Sequence, residues 1–155
     1  MAATTPNPVD PARSAQMARV RGKDTKPEML VRRVMHAAGL RYRLHDRRLP
    51  GTPDLVFPGR RVALFVHGCF WHRHGDPSCK LARLPKTRLE FWEAKLEGNR
   101  LRDERHIAEL EAAGWKVLVT WECELKSEQR LLALVDEVRS SPVVARTGGV
   151  GGLVD

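Results

Sequence analysis

Residues Arg61 to His74 read RVALFVHGCFWHRH, and the two halves of that stretch set the terms for the whole chain. Val62 to Val66 is a short apolar run of the kind that forms a strand buried on both faces. The continuation holds three His, one Cys and the adjacent pair Phe70-Trp71 within eight residues. That is more metal-capable and stacking-capable chemistry than a structural loop needs. A functional site is expected where the strand ends.

Upstream, Pro58-Gly59 makes a tight turn, so Leu55-Val56-Phe57 and the Arg61–Val66 run pair as a hairpin. Asp54 opens the first of these strands directly after Pro53, and the hairpin brings it near the end of the second. An Asp so held suits a hard-metal ligand, although closing a turn is its commoner use. Leu49 to Pro53 is turn chemistry, and the basic segment Arg41–Arg48 can begin as a strand. Before it, Asp24 or Thr25 caps a helix with Pro27 in its first turn, Gly39 past its end and Leu30, Val31, Val34 and Ala38 as its apolar stripe. Glu28 falls in the first turn, where compensating the helix dipole would explain it.

Downstream, Gly75–Pro85 is a loop containing Cys79, and Thr87–Ala113 a long charged helical region that Gly98-Asn99 is expected to break. Leu89, Trp92, Leu96, Ile107, Leu110 and Ala113 keep helical spacing through it. Trp115–Trp121 is a further strand, followed by Glu122-Cys123. Ser127 caps a last amphipathic helix carrying Leu131, Leu132, Leu134, Val135 and Val138. The order predicts a small α/β domain, with a mixed central sheet flanked by helices.

With 155 residues, 42% of them hydrophobic, the chain has material for one domain, expected over 17–141. Residues 1–16, with three Pro and no periodicity, read as a disordered arm, and the Gly-rich 142–155 as a disordered tail. A net charge of +8 favours a polyanionic partner. No run nears the roughly 20 apolar residues of a membrane helix, and the N-terminus lacks a signal-peptide core, so a cytoplasmic protein is expected. Three Cys without an export signal point to free thiols or metal thiolates rather than disulfides.

Two constellations follow. Cys69, His74, Cys79 and Cys123 use every Cys in the chain plus the His between the first two, a donor set suited to tetrahedral zinc. Their spacings of five, five and forty-four match no short finger, and three unrelated buried thiols are the competing reading. The second is Asp54 with His67 and His72, and Glu28 nearby: a carboxylate to hold Mg²⁺ and an imidazole to take a proton from water are the needs of a metal-dependent nuclease. The layout follows the PD-(D/E)xK nucleases through Pro53-Asp54, but Val66 and Gly68 stand where that motif has an acid and a Lys, so His would supply the base. Phe70 and Trp71 could both be core, yet in an extended strand they would point to opposite faces. As wedges that unstack a duplex they fit the positive charge.

These phrases resemble the very short patch repair (Vsr) DNA mismatch endonucleases. The resemblance runs from about Met17 to Leu125 and rests on Pro50-Gly51-Thr52-Pro53-Asp54, His67-Gly68-Cys69-Phe70-Trp71-His72, Arg88-Leu89-Glu90-Phe91-Trp92, Gly114-Trp115 and Trp121-Glu122-Cys123. It implies a restriction-endonuclease-like fold with one structural zinc on Cys69, His74, Cys79 and Cys123. It implies also a bacterial, nucleoid-associated monomer that nicks duplex DNA 5′ of the thymine in T:G mismatches left by 5-methylcytosine deamination, with mismatch-repair proteins as partners. By position, Asp54 would bind Mg²⁺ with the main-chain carbonyl of Val66, His72 would be the base, and His67 and Glu28 would support it. Phe70 and Trp71 would wedge into DNA from the major groove, Met17 would reach in from the other side, and Lys95 and Asn99 would meet the mismatch. Two departures stand out: Val66 replaces a Thr, which a main-chain ligand tolerates, and Gly75-Asp76-Pro77-Ser78 lengthens the loop before Cys79.

Overall fold

The computed structural model describes residues 24–144. The arm 1–16, Met17 and the tail from 145 onward lie outside the described residues. Helix α1, Lys26–Ala37, begins as its sequence dictates: Thr25 is extended and its hydroxyl accepts from Glu28 N at 3.4 Å, Pro27 sits in the first turn, and Gly39 takes a φ of +80° beyond the end. Val31 and Met35 on its inner face are fully buried.

Four strands form one sheet in the order β1 (Arg43–Leu44), β2 (Leu55–Phe57), β3 (Val62–His67) and β4 (Lys116–Trp121). The first three are antiparallel neighbours, with Leu55 opposite Leu64 and Phe57 opposite Val62. β4 joins β3 in parallel, pairing Val62 with Lys116 and His67 with Trp121, so the sheet is mixed. A parallel neighbour needs a long crossover. Here residues 68–115 supply it, and they carry α2, Leu89–Ala112.

Helices cover both faces. On one, α1 and α3 (Glu128–Arg139) pack Val31, Met35, Leu134 and Val138 against Leu55, Phe57 and Leu64. On the other, Leu110 of α2 meets Ala63 and Phe65. β3 is thus enclosed on both sides, as its unbroken apolar run requires. Ser127 caps α3 by accepting from Arg130 N at 3.2 Å. At the last described residue, Val144 N donates to Gly59 O at 2.7 Å, tying the first residues of the expected tail to the β2–β3 turn.

Three expectations need correction. The break at Gly98-Asn99 does not occur: α2 runs unbroken for 24 residues. A helical Gly costs about 1 kcal/mol relative to Ala, and side chains around it bridge the weak point. Glu97 pairs with Arg100 at 2.5 Å and with Arg73 at 3.0 Å, Arg100 also pairs with Glu104, and Asn99 Nδ2 donates to Trp71 O at 3.1 Å. Secondly, Leu89 and Ala113 leave the apolar stripe and are exposed. A helix of this length spans about 36 Å, far more than strands of six residues or fewer can cover, so its ends overrun the sheet. Thirdly, Leu132 of α3 is 57% exposed while its neighbours Leu134, Val135 and Val138 are buried.

The Leu49–Pro53 turn rests on α2, with Leu49 packed on the cluster that contains Leu110 and Gly51 against His106. Gly51 has a φ of +73°, and a Cβ there would stand 2.9 Å from His106 Cβ. Gly51→Ala should therefore destabilise the protein by about 1–3 kcal/mol, from backbone strain and the clash together. Urea unfolding checks this, and an unchanged midpoint would mean that the turn does not rest on α2.

Candidate active site and metal centre

Because β2 and β3 are antiparallel, the start of one lies beside the end of the other. Asp54, one residue before β2, accepts a hydrogen bond from Val66 N at 2.7 Å through Oδ2, and its own carbonyl accepts from His45 N at 3.1 Å. Main chain and side chain are thus both fixed. The carboxylate lines a cleft of about 420 Å³ together with His45, Val66, His67, His72 and Asp103. Burial pushes the Asp54 carboxyl up to about 6; the Val66 N–H opposes this, the Glu28 carboxylate adds to it, and His45 and His72 pull it back. A carboxylate held at such a cost is matched to a hard cation, which would remove the penalty.

Glu28 is the acid of the first turn of α1, and at 1% exposed it also reaches beyond the helix end into the cleft wall. It accepts from Asp24 N and pairs with the half-buried His45 through Nε2, beside Asp54. His45 itself has a φ of +45°. Such left-handed backbone at a non-Gly residue persists only where its surroundings impose it. The sequence reading missed His45, and nothing in the spacing of the Arg41–Arg48 segment signals it.

His67 ends β3, and the turns that follow fold the chain back so that His72 stacks on it, ring centroids 3.9 Å apart and planes within 2°. His72 Nδ1 donates to Asp103 Oδ2 at 2.6 Å, which leaves Nε2 as the ring's proton acceptor. Asp103 was also missed. It sits four residues beyond Asn99 on α2, as Asn99 sits four beyond Lys95, so continuing that helical face would have found it. His67 is 4% exposed, and its Nδ1 has no hydrogen-bond partner among the described residues. Burial, with the neighbouring His72 adding to it and Asp103 partly offsetting it, lowers its pKa to about 4. His67 is therefore neutral at pH 7.

Phe70 and Trp71 do not lie in an extended segment. Hydrogen bonds from His72 N to Gly68 O and from His74 N to Cys69 O curl the chain here. Both rings consequently reach one partner, Trp92 of α2, at 5.5 and 6.1 Å between centroids. The opposite-faces expectation fails because strand geometry stops at His67. Both rings stay half-buried, and the Asn99 amide holds the Trp71 carbonyl. Lys95, one turn earlier on α2, is exposed.

Cys69, His74, Cys79 and Cys123 converge, each offering a ligand atom, with all four atoms within 4.8 Å of one another. Cys123 Sγ and His74 Nδ1 are 3.5 Å apart, close to the roughly 3.6 Å edge that zinc bond lengths give a tetrahedron. Cys69 is wholly buried, and burial pushes its thiol up to about 12; burial also raises Cys123. For Cys79 burial is outweighed by hydrogen bonds involving His74, Cys69 and the Ala82 and Leu81 main chain, which lower it to about 7. Three thiols converging on one imidazole fit a thiophilic cation. The longer loop does not displace Cys79: Asp76 Oδ1 accepts from Ser78 N and Oγ, and Cys79 N donates to Asp76 O, a compact turn that absorbs the added residues. The His74 ring stacks on Trp121 at 4.3 Å, joining the centre to the end of β4.

Comparison with known proteins gives this geometry a context. The family profile described as DNA mismatch endonuclease Vsr matches residues 9–80. The Type II nicking enzyme V.XorIIP of Xanthomonas oryzae is 53% identical over 124 residues, covering 77% of this chain and 89% of that protein. The Type II nicking enzyme V.NmeAIP of Neisseria meningitidis is 42% identical, covering 83% of this chain and 93% of that protein. The DNA mismatch endonuclease Vsr of Escherichia coli is 41% identical over 119 residues, covering 77% of this chain and 74% of the enzyme. Such identity, sustained over most of each relative, means that this chain belongs to the Vsr family of DNA endonucleases.

Proposed function

We propose that this protein nicks duplex DNA on the 5′ side of the thymine in T:G mismatches, by Mg²⁺-dependent hydrolysis within a restriction-endonuclease-like fold. The observation that carries the reading is the shared cleft. It puts the Asp54 carboxylate and the Asp103-oriented His72 side by side, one turn of chain from the half-buried pair Phe70 and Trp71.

In this reading Asp54 and the main-chain carbonyl of Val66 hold Mg²⁺, which when bound would supply Lewis-acid stabilisation to the phosphate. Asp103 keeps His72 in the tautomer that exposes Nε2, and Nε2 takes the proton from the attacking water. His67, neutral and stacked on His72, orients the base without adding charge. Glu28, held by His45, supports Asp54 from behind. Phe70 and Trp71, backed by Trp92, enter the stack from the major groove. Lys95 and Asn99 approach the mismatch, and Met17 would contribute from the arm. Zinc on Cys69, His74, Cys79 and Cys123 anchors the loop that carries His72.

The Xanthomonas and Neisseria relatives, described as Type II nicking enzymes, favour a second reading, in which a fully paired recognition sequence is nicked equally well. A labelled duplex with one T:G pair, beside its fully paired counterpart, separates the two. The expected product is a nick 5′ of the mismatched T that requires Mg²⁺ and falls by at least about 100-fold in Asp54→Ala, with binding kept. Equal cutting of both duplexes would establish the paired-sequence reading. Binding without cutting would reduce the protein to a zinc-stabilised DNA-binding module.

The raised Asp54 pKa predicts a pH signature. Its folded value, about 6, lies above the ordinary 3.8, so its contribution to stability is full below the ordinary value and lost as pH rises through the folded one. In Mg²⁺-free protein, Asp54→Asn should thus be the more stable form above pH 6. Its advantage should grow between about pH 4 and 6 to at most about 3 kcal/mol. Thermal melts across pH check this; a constant difference would mean that Asp54 is not strained. Saturating Mg²⁺ should stabilise the wild type alone.

Stripping zinc with a strong chelator should unfold the domain, whereas withdrawing Mg²⁺ alone should stop nicking and leave the fold intact. Metal analysis of folded protein should find one zinc per chain. A folded preparation with none would rule out the four-ligand centre.

A further inference from the structure

Between Cys79 and the start of α2 the chain reads KLARLPKTR, residues 80–88, with four cations and no acidic residue. Lys80, Arg83, Lys86 and Arg88 are all exposed. None of the four joins an ion pair among the described residues, whereas nearby Arg73 and Arg100 are paired to Glu97 and Glu104. The segment is nonetheless held at both ends. At one, Cys79 belongs to the four-ligand cluster and Lys80–Ala82 form a single 3₁₀ turn. At the other, Arg88 takes a left-handed φ of +56°, its carbonyl accepts from Trp92 N at 3.2 Å, and its guanidinium lies 4.5 Å from the centre of the Phe91 ring. Leu84 and Pro85 between them are half-buried.

We infer that residues 80–88 form a basic strap that binds the DNA phosphate backbone beside the aromatic wedge, through Lys80, Arg83, Lys86 and Arg88. The inference rests on the endonuclease reading for its partner. Unpaired cations on a strap with anchored ends give up little conformational freedom on meeting phosphates, so their charge is available for counterion release. The strap touches backbone rather than bases: it adds affinity and sets no sequence preference. It leads directly into the helix that carries Trp92, the partner of Phe70 and Trp71, so phosphates held there would flank the step those rings enter. It also gives the metal centre a second role, since Cys79 sets where the strap begins.

The test uses full-length, zinc-loaded protein in Mg²⁺-free buffer and one T:G duplex. Fluorescence anisotropy is followed from about 50 to 250 mM salt, a range in which phosphate neutralisation dominates the change in affinity. The strap variant carries Lys80→Gln, Arg83→Gln, Lys86→Gln and Arg88→Gln. A charge-matched control carries Lys26→Gln, Arg33→Gln, Arg43→Gln and Arg47→Gln, and melting curves check that both are folded. Removing one cation that neutralises a phosphate should reduce the slope of log affinity against log salt by about 0.9, so the strap variant should show a slope shallower by about 2–4 and an affinity at least tenfold weaker. An unchanged slope in the strap variant, or an equal reduction in the control, overturns the strap. Wild-type protein that binds no duplex overturns the endonuclease reading along with it.

Discussion

β3 is the constraint on which the rest depends. It is paired on both edges and covered on both faces, antiparallel to β2 and parallel to β4. Its direction relative to each neighbour determines which chain ends meet. The antiparallel partner brings its beginning, Asp54, to the end of β3, and the parallel partner brings its own end, Trp121 and Cys123, to the same place. Residues 54, 66–74 and 121–123 therefore assemble at one end of the strands, though the last of them is 49 residues from the nearest member of the loop it joins. Open α/β sheets favour sites at strand ends for this reason: the backbone is rigid up to that point and free to carry side chains beyond it.

The parallel pairing also demands a long crossover, and the crossover contains most of the chemistry. Its first part curls from Gly68 to His74, returning His72 onto His67 and bringing Phe70 and Trp71 against Trp92. A loop this rich in polar and aromatic groups has no apolar face to bury on the sheet. What holds it is the four-ligand cluster on one side and α2 on the other, through Asp103, Asn99 and Glu97. Individually such surface pairs contribute little. Together they fix the one segment whose geometry the proposed chemistry cannot do without.

Charge in the cleft follows a consistent arrangement. The Glu28 carboxylate lies close enough to Asp54 to raise its cost of ionisation, and the Val66 N–H, His45 and His72 relieve it. His67 stays uncharged and so adds no competing cation. Two carboxylates beside an uncharged His67 are suited to a divalent cation and a phosphodiester arriving together. The folded protein bears this electrostatic strain at Asp54, in keeping with the rule that active sites trade stability for pre-organisation.

The residues alone determined the α/β class, the hairpin around Pro58-Gly59, a helix start capped by Asp24 or Thr25 and the candidate ligands, because hydrophobic period, turn chemistry and donor type are local properties. Spacing could even have led to Asp103 along the face of Lys95 and Asn99. Only the tertiary structure decided the rest. Glu28 looked like a dipole partner and is a buried acid, since burial depends on what packs over a helix and not on its position in the first turn. His45 joined the cleft through a left-handed backbone that no periodicity announces. Gly98 stayed helical because ion pairs and the Asn99 amide bridge it, and Phe70 and Trp71 came together because the strand ends at His67. Several of the deciding contacts join residues far apart in sequence, such as Glu28 with His45 and Asn99 with Trp71, and local propensity carries no information about such pairings.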